Sequence, residues 1–277
     1  MSWYQTRYAK NNCVDSIDNE IFYEDFRILN EVEVVVNCYR DKNTARTLLN
    51  LACGPNPQHA ILLDEHFSFE HIHSIDINAE YIEKAKNDFS YRSERYYGMC
   101  LNSTAKFLTL DLLNIEINSF ANKRYDIITL FGNSFGYFSH EENIKLLWKI
   151  FNLLNPGGAL FITVPDYDIA LSHDIHNPIT WEIVSSLDGK SHRSSRYYDV
   201  TSQISLCKTD YYKEGIYQES RVRNIYIYPY FRSENKLFSY EKSKDIIGFK
   251  KSSIHKLPFN DSSFGLMKNL NMVVLVK

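Results

Sequence analysis

Between residues 47 and 165, short apolar runs alternate with amphipathic helical stretches, and this alternation constrains the fold more than any other feature of the chain. It is typical of βαβ units, in which helices connect consecutive parallel strands and cover the sheet. The sequence therefore predicts an α/β fold with a doubly wound, mostly parallel sheet. Five of its strands are predicted at residues 47–52, 72–77, 107–110, 125–131 and 159–164.

Helices are predicted where apolar residues recur at three- and four-residue steps. The first covers residues 20–39, and the second follows Asn78, whose side chain can cap it. The third follows Ser139 and Glu142, which form the S-x-x-E pattern of a capping box. Its predicted buried stripe is Ile144, Leu147, Trp148, Phe151 and Leu154, and residues 155–158 (Asn-Pro-Gly-Gly) are predicted to end it.

Tyrosine is concentrated in the second half of the chain, where nine of the 20 tyrosines fall within residues 197–240. Two strand-like stretches, 200–211 and 216–228, flank a Lys-Glu-Gly turn and predict an antiparallel β-hairpin. A helical segment is predicted at residues 240–247, with strands at 249–255 and 271–276. We therefore expect one domain over residues 1–277, made of a helical cap (1–45), a core (46–165), an inserted lid (166–240) and C-terminal strands (241–277).

Composition excludes several classes of protein. The net charge of −3 gives no basic surface for broad binding to nucleic acid. No apolar run approaches the ~20 residues that a membrane helix needs, and the first residues lack the apolar stretch of a signal peptide. The five cysteines are scattered and form no CxxC pair, so neither a disulfide framework nor a structural metal site is expected. We expect a cytoplasmic protein that binds no nucleic acid, membrane or metal.

The turn after the first predicted strand, Asn50-Leu-Ala-Cys-Gly-Pro-Asn, is a candidate ligand site. Small residues such as Ala52 and Gly54 let a nucleotide-like ligand approach the backbone at this place in a doubly wound sheet. Asp76 follows 22 residues after Gly54, close to the ~20-residue spacing of a ribose-binding acid. The competing interpretations are an ordinary strand-ending turn and an acid that stabilises a helix N-terminus.

Taken together and in order, these motifs resemble the class I S-adenosyl-L-methionine (SAM) dependent methyltransferases. The resemblance spans residues 47–165 and rests on five segments: Asn50-Leu-Ala-Cys-Gly, Ile75-Asp-Ile-Asn, Leu110-Asp-Leu-Leu, residues 125–138, and Leu154-Asn-Pro-Gly-Gly-Ala-Leu. It implies SAM as the cofactor and a Rossmann-like doubly wound sheet of about seven strands with the hairpin as a lid. It also implies a cofactor site made of Asn50, Ala52, Cys53, Gly54, Asp76, Ile77, Asp111, Leu112, Phe131 and Gly132.

Within that site, the resemblance assigns the methionine part of SAM to Ala52 and Gly54 and the ribose to Asp76. Asp111 and Leu112 would face the adenine, and Phe131 and Gly132 would border the sulfonium. The glycine turn departs from the family pattern, acid-x-Gly-x-Gly-x-Gly, because it reads Asn50-x-Ala52-x-Gly54-x-Asn56. Alanine adds little bulk and asparagine tolerates left-handed backbone angles, so the turn can still bind SAM.

The acceptor is predicted to be a small molecule that receives the methyl group on nitrogen or oxygen. Side chains after the fourth strand, Asn133, Ser134, Phe135 and Tyr137, are candidates for binding it. A hydroxyl acceptor needs a general base, for which His140, His173 and His176 are candidates, although roles in a helix cap or a polar loop explain these histidines better. Metal binding by Asp166, Asp168, His173 and Asp174 is disfavoured.

Two other functions remain open at this point. One is transfer of another group, such as aminopropyl, from a relative of SAM on the same fold. The other is a non-catalytic partner protein whose aromatic surface mediates assembly, and the tyrosine-rich segment could equally form a homodimer interface.

Overall fold

A computed structural model describes residues 23–39, 44–95, 104–132, 134–165, 172, 174–184, 190–199, 201–202, 204–226, 248–257 and 270–277. The described helices are α1 (Tyr23–Cys38), α2 (Gln58–Phe67), α3 (Ala79–Arg95) and α4 (His140–Leu153). The first strands are β1 (Thr47–Leu51), β2 (His71–Asp76), β3 (Thr104–Thr109), β4 (Tyr125–Leu130) and β5 (Leu154–Pro165). They are followed by β6 (Ile179–Val184), β7 (Lys190–Asp199), β8 (Ile204–Lys213), β9 (Ile216–Tyr226), β10 (Lys251–Lys256) and β11 (Leu270–Val276).

Seven strands form the larger sheet, in the order β10-β11-β5-β4-β1-β2-β3. Strands β1 to β5 pair in parallel, whereas β11 is antiparallel to β5 and β10 is antiparallel to β11. The strand order reverses between β1 and β4, so the connections after these two strands lead to opposite faces of the sheet and leave a crevice in which ligands bind in such folds. The predicted Rossmann-like sheet of about seven strands is confirmed.

Apolar side chains cover both faces of this sheet. Along β1, Leu49 and Leu51 face the core beneath α4, and Leu48 faces the core beneath α1 and α2. This alternation buries every strand of the centre on two sides, which explains why the sequence shows continuous apolar runs there rather than a polar–apolar alternation. No helix among the described residues is long and apolar enough to cross a membrane.

The junction between α4 and β5 differs from the prediction. Residues 155–158 do not cap the helix, because β5 begins at Leu154, directly after the helix ends. Leu154 pairs with Tyr125 of β4, and a register shift follows between Tyr125 and Ile127. A Cβ on Gly158 would come within 2.9 Å of the Tyr125 carbonyl oxygen, so only glycine fits at this place in the strand. Pairing with a neighbouring strand therefore overrides the local turn signal.

The buried face of α4 also differs from the predicted stripe. Trp148 is 56% exposed, and Leu154 belongs to β5 rather than to the helix. The residues that face the core are Asn143, Leu146, Leu147, Ile150 and Leu153. Each of these residues lies one position before a residue of the predicted stripe, so the buried face is rotated around the helix relative to the prediction. The capping box is confirmed, since the Glu142 carboxylate accepts the Ser139 amide hydrogen at 2.9 Å.

A separate four-stranded antiparallel sheet, β6-β7-β8-β9, forms the smaller layer. The predicted hairpin corresponds to β8 and β9, which turn at Glu214 and Gly215 with left-handed backbone angles. Strands β6 and β7 were not predicted. β7 is largely polar on its buried face and carries no apolar alternation, whereas β6 reads Ile-Thr-Trp-Glu-Ile-Val, an alternation that does indicate a strand. The chain at residues 166–171, 185–189 and 227–247, including the predicted helical segment at 240–247, lies outside the described residues.

Candidate functional site

The turn after β1 stands at the carboxyl edge of the large sheet, where the strand order reverses. Ala52 and Gly54 both have left-handed backbone angles, with φ of 49° and 63°. The turn is tied to β2 because the Cys53 amide donates to the Ile75 carbonyl oxygen at 2.9 Å. A Cβ built on Gly54 would meet no atom within 4 Å, so the space beside this glycine is open to a ligand.

Asp76, at the end of β2, bridges that turn and the start of α3. One carboxylate oxygen accepts the Gly54 amide hydrogen at 2.9 Å, and the other accepts the Asn78 amide hydrogen at 2.9 Å. Burial raises the pKa of Asp76, and these backbone donors oppose that effect. Each carboxylate oxygen has a second lone pair, so the same group can also accept hydrogen bonds from a ribose diol. As predicted, Asn78 caps α3, because its side-chain oxygen accepts the Glu80 amide hydrogen at 2.9 Å.

Asn50 occupies the place of the family's first acidic residue, in the register of Ser74 and Thr129 on the neighbouring strands. Its side-chain oxygen accepts a hydrogen bond from Thr129 Oγ1 at 3.0 Å. Its amide nitrogen Nδ2 is buried and has no hydrogen-bond partner. A buried donor without a partner costs about 1–3 kcal/mol. The open space at Gly54 and the unsatisfied Asn50 donor both fit a polar ligand such as the amino-acid part of SAM.

Asp111 lies one strand further along the same edge. It caps a short 3-10 turn at Leu112–Asn114, where its side chain accepts the Leu113 amide hydrogen at 3.0 Å. The preceding Leu110 amide donates to the Asp76 carbonyl oxygen at 2.9 Å, so the two predicted acids follow adjacent paired strands. Leu112 is buried beside them. At this edge of the sheet, a nucleoside can therefore contact two carboxylates and one buried leucine.

On the other side of the crevice, β4 ends at Phe131 and Gly132. Phe131 is buried, and Gly132 has a left-handed φ of 68°. A 3-10 turn at Ser134–Tyr137 follows, in which Ser134 and Phe135 are buried and Tyr137 is half-buried. Phe135 belongs to the apolar core beneath α4.

Of the three candidate general bases, only His176 has a described side chain. His176 is exposed in a turn, where its amide donates to the Asp174 carboxylate at 2.9 Å. His140 begins α4, and its side chain is not among the described ones. Asn133 and His173 lie outside the described residues, as do Asp166 and Asp168. Among the described side chains, no three His, Cys, Asp or Glu residues lie close enough together to hold a metal ion.

A buried polar cluster beside Phe131 was not predicted. Glu31 of α1 is fully buried, and its carboxylate contacts His59 Nε2 at 2.7 Å and accepts a hydrogen bond from Thr163 Oγ1 at 2.6 Å. Arg27 Nε lies 3.6 Å from the same carboxylate. Burial acts to raise the pKa of Glu31, but Arg27, His59 and Thr163 together hold it below its usual value. The helical spacing does indicate that Glu31 lies on the buried face of α1, since it is three residues after the buried Ile28 and four before the buried Val35.

Comparison with known proteins agrees with this geometry. The family described as "Methyltransferase domain" matches residues 48–158. A sequence comparison with curated proteins finds no match.

Three solved structures illustrate the similarity of fold. The CcbJ methyltransferase from Streptomyces caelestis is 14% identical, with 97% of each chain covered and a TM-score of 0.66. An S-adenosylmethionine-dependent methyltransferase from Clostridium acetobutylicum is 14% identical, with 94% of each chain covered and a TM-score of 0.63. The sugar N-methyltransferase KedS8 from a Streptoalloteichus species is 16% identical, with 93% of each chain covered and a TM-score of 0.59. At such identities these structures show the shared fold alone.

The matched segment begins within β1 and ends within β5, so it contains the open turn, Asp76 and the end of β4. Of the functions considered from the sequence, methyl transfer is the one that this match supports. Residues 48–158 therefore form a methyltransferase domain of the class I family, which uses S-adenosylmethionine as its cofactor.

Proposed function

We propose that this methyltransferase transfers the methyl group of SAM to a nitrogen or oxygen atom of a small molecule, with an amine as the preferred acceptor. The observation that carries the proposal is the open turn at Gly54, joined to Asp76 by a hydrogen bond and facing the end of β4 across the crevice. This arrangement suits a nucleoside-linked ligand whose reactive end lies near Phe131 and Gly132.

Different parts of the proposed cofactor site have different tasks. Ala52, Cys53 and Gly54 let the ligand approach the backbone, and the Asp76 carboxylate accepts hydrogen bonds from the ribose hydroxyls, with the apolar Ile77 next to it in the chain. When bound, SAM supplies a methyl group that is already activated on a sulfonium, so the transfer needs alignment rather than covalent catalysis. Phe131 and the half-buried Tyr137 exclude water from the reacting end. A neutral amine then needs almost no help from a base, whereas a hydroxyl needs one.

The smaller sheet is proposed to cover the acceptor. Its strand β9 lies next to the 3-10 turn Ser134–Tyr137, which directly follows the end of β4. The buried face of the sheet mixes polar and aromatic groups: it carries His192, Ser194, Arg196, Ser205 and Thr209 together with Tyr198, Cys207 and Tyr211. Such a face suits an acceptor rich in hydroxyl groups better than an apolar one. The similar fold of KedS8, a sugar N-methyltransferase, supports an amino sugar as the first class of acceptor to test.

The test is a methyl-transfer assay with isotope-labelled SAM and pairs of sugars that differ only by an amino or a hydroxyl group at one carbon. We expect label in the amino sugars and little in the hydroxyl partners. Label in hydroxyl sugars alone would overturn the amine preference. Label only in protein or nucleic acid, with none in any small molecule, would overturn the small-molecule acceptor.

A further inference from the structure

The guanidinium of Arg27 lies at the reactive end of the proposed cofactor site. A Cβ built on Gly132 would be 3.7 Å from Arg27 Nη1, so this cation stands beside the backbone that follows β4. The side chain is only 15% exposed. Arg27 comes from α1, which precedes the matched methyltransferase segment, and it was not among the predicted cofactor-binding residues.

Glu31 holds Arg27 in this place. The fully buried Glu31 carboxylate lies 3.6 Å from Arg27 Nε, one helical turn away on α1. It is itself anchored by His59 on α2 and by Thr163 on β5, at 2.7 and 2.6 Å. The His59 ring also contacts the Phe131 ring, with centroids 4.7 Å apart. The cluster therefore attaches the helix before β1 to the end of β4, and it limits where the guanidinium can point.

Charge decides what this guanidinium can bind. A sulfonium is a cation, so a guanidinium near it is unfavourable unless an anion lies between the two groups. SAM itself carries such an anion, because its carboxylate is a few bonds from the sulfur. Guanidinium groups bind carboxylates in a two-pronged geometry with charge-assisted hydrogen bonds.

We propose that Arg27 binds the carboxylate of SAM and that Glu31 is the positioning residue that aims it. The inference rests on the proposed function, in which the sulfonium lies beside Gly132. An anionic group on the acceptor would present the same chemistry to Arg27, so the experiment must distinguish these two sources.

Calorimetry with two ligands makes the distinction. One is S-adenosylhomocysteine, and the other is the same thioether without its carboxylate. In the wild-type protein, we expect removal of the carboxylate to weaken binding by about ten- to a hundredfold. The Arg27→Gln variant should bind S-adenosylhomocysteine more weakly by a similar factor, and it should bind the two ligands almost equally. Arg46→Gln is the matched control, because Arg46 forms an exposed pair with Glu70 at 3.8 Å, and it should behave as the wild type.

A second variant shows whether a loss of binding in Arg27→Gln comes from misfolding rather than from the lost guanidinium. Arg27→Gln leaves the buried Glu31 with less compensation, whereas the double variant Arg27→Gln/Glu31→Gln removes both charges together. It should fold and show the same loss of discrimination. Glu31→Gln alone should retain part of the discrimination, because the guanidinium remains but is aimed less well.

Three results would overturn the inference. If Arg27→Gln still discriminates between the two ligands as the wild type does, Arg27 does not bind the SAM carboxylate. If it binds both ligands normally and only raises the KM of the acceptor, the anion belongs to the acceptor. If the wild type binds neither ligand, the proposed placement of SAM fails together with the inference.

Discussion

Gly54 and Gly215 have the same local geometry in different parts of the molecule. Both have left-handed angles, with φ of 63° and 76°, and a Cβ on either would meet no atom within 4 Å. An alanine at either position should therefore cost about 1–2 kcal/mol of backbone strain. Only Gly54→Ala should also weaken SAM binding, because its methyl group enters the space proposed for the ligand. Calorimetry and thermal unfolding of the two variants check this, and equal SAM affinity in both would remove the turn from the site.

Asp76 has a structural task besides its proposed contact with ribose, since it accepts amide hydrogens from both Gly54 and Asn78. We predict that Asp76→Ala weakens SAM binding by at least about 1.5–3 kcal/mol, through the lost ribose hydrogen bonds and a displaced turn. Thermal stability should fall as well, because two backbone donors lose their acceptor. Glu80→Ala, an exposed acid in the first turn of α3, is the control and should change neither quantity. Unchanged affinity in Asp76→Ala would place the ribose elsewhere.

Glu31 should make the protein sensitive to acid. Its pKa in the folded state lies below the usual 4.5, so its ionised form stabilises the fold above that pH. The stabilisation is lost as the pH falls below 4.5 through the folded value. We predict that Glu31→Gln flattens the dependence of unfolding free energy on pH in this window, measured by urea titration. Glu141→Gln, on the surface, should leave the slope nearly unchanged, and an identical slope in both variants would contradict the prediction.

At the scale of elements, helix α4 offers a direct test of which face it buries. Leu147 is buried in the core beneath α4, whereas its neighbour Trp148 is 56% exposed. We predict that Leu147→Ala lowers the free energy of unfolding by about 2–5 kcal/mol and that Trp148→Ala lowers it by less than about 1 kcal/mol. Denaturant unfolding of the two variants measures both values. A larger effect at Trp148 would mean that another surface covers it in solution.

At the scale of the whole molecule, the smaller sheet should govern the acceptor more than SAM. We predict that replacing residues 204–226 with a short Gly/Ser linker lowers turnover by about tenfold or more while SAM affinity changes little, because the proposed SAM site lies against β1 and β2. Exchanging only the exposed turn at residues 213–216 should be tolerated.

The competing role for this sheet is a dimer interface, which its exposed Ile216, Tyr217 and Val222 would also suit. Sedimentation of the shortened and full-length proteins separates the two roles. If shortening converts a dimer into a monomer and turnover stays the same, the sheet is an interface and not a lid.

The parts of the structure that follow from neighbouring residues were accessible to sequence reasoning. The five parallel strands, the Asn78 cap and the capping box at Ser139 depend on periodicity and on contacts within a few residues. The turn after β1 and its link to Asp76 were likewise predictable, because parallel strands end at one edge and a short turn there needs small residues. The burial of Glu31 was only weakly indicated, by its position at a helical step from apolar residues of α1.

Other features were decided by tertiary structure, because their partners are far apart in the chain. Leu154 is extended because it pairs with Tyr125, and this pairing overrides the strong turn signal of residues 155–158 (Asn-Pro-Gly-Gly). Strand β7 forms because its polar residues pair with β8, although they carry no apolar alternation. The contact between Glu31 and Thr163 spans 132 residues, and only the packing of α1 on the finished sheet brings the two together. Periodicity along the chain determines the elements, whereas packing of the assembled elements determines which polar groups meet beside Phe131, at the end of β4.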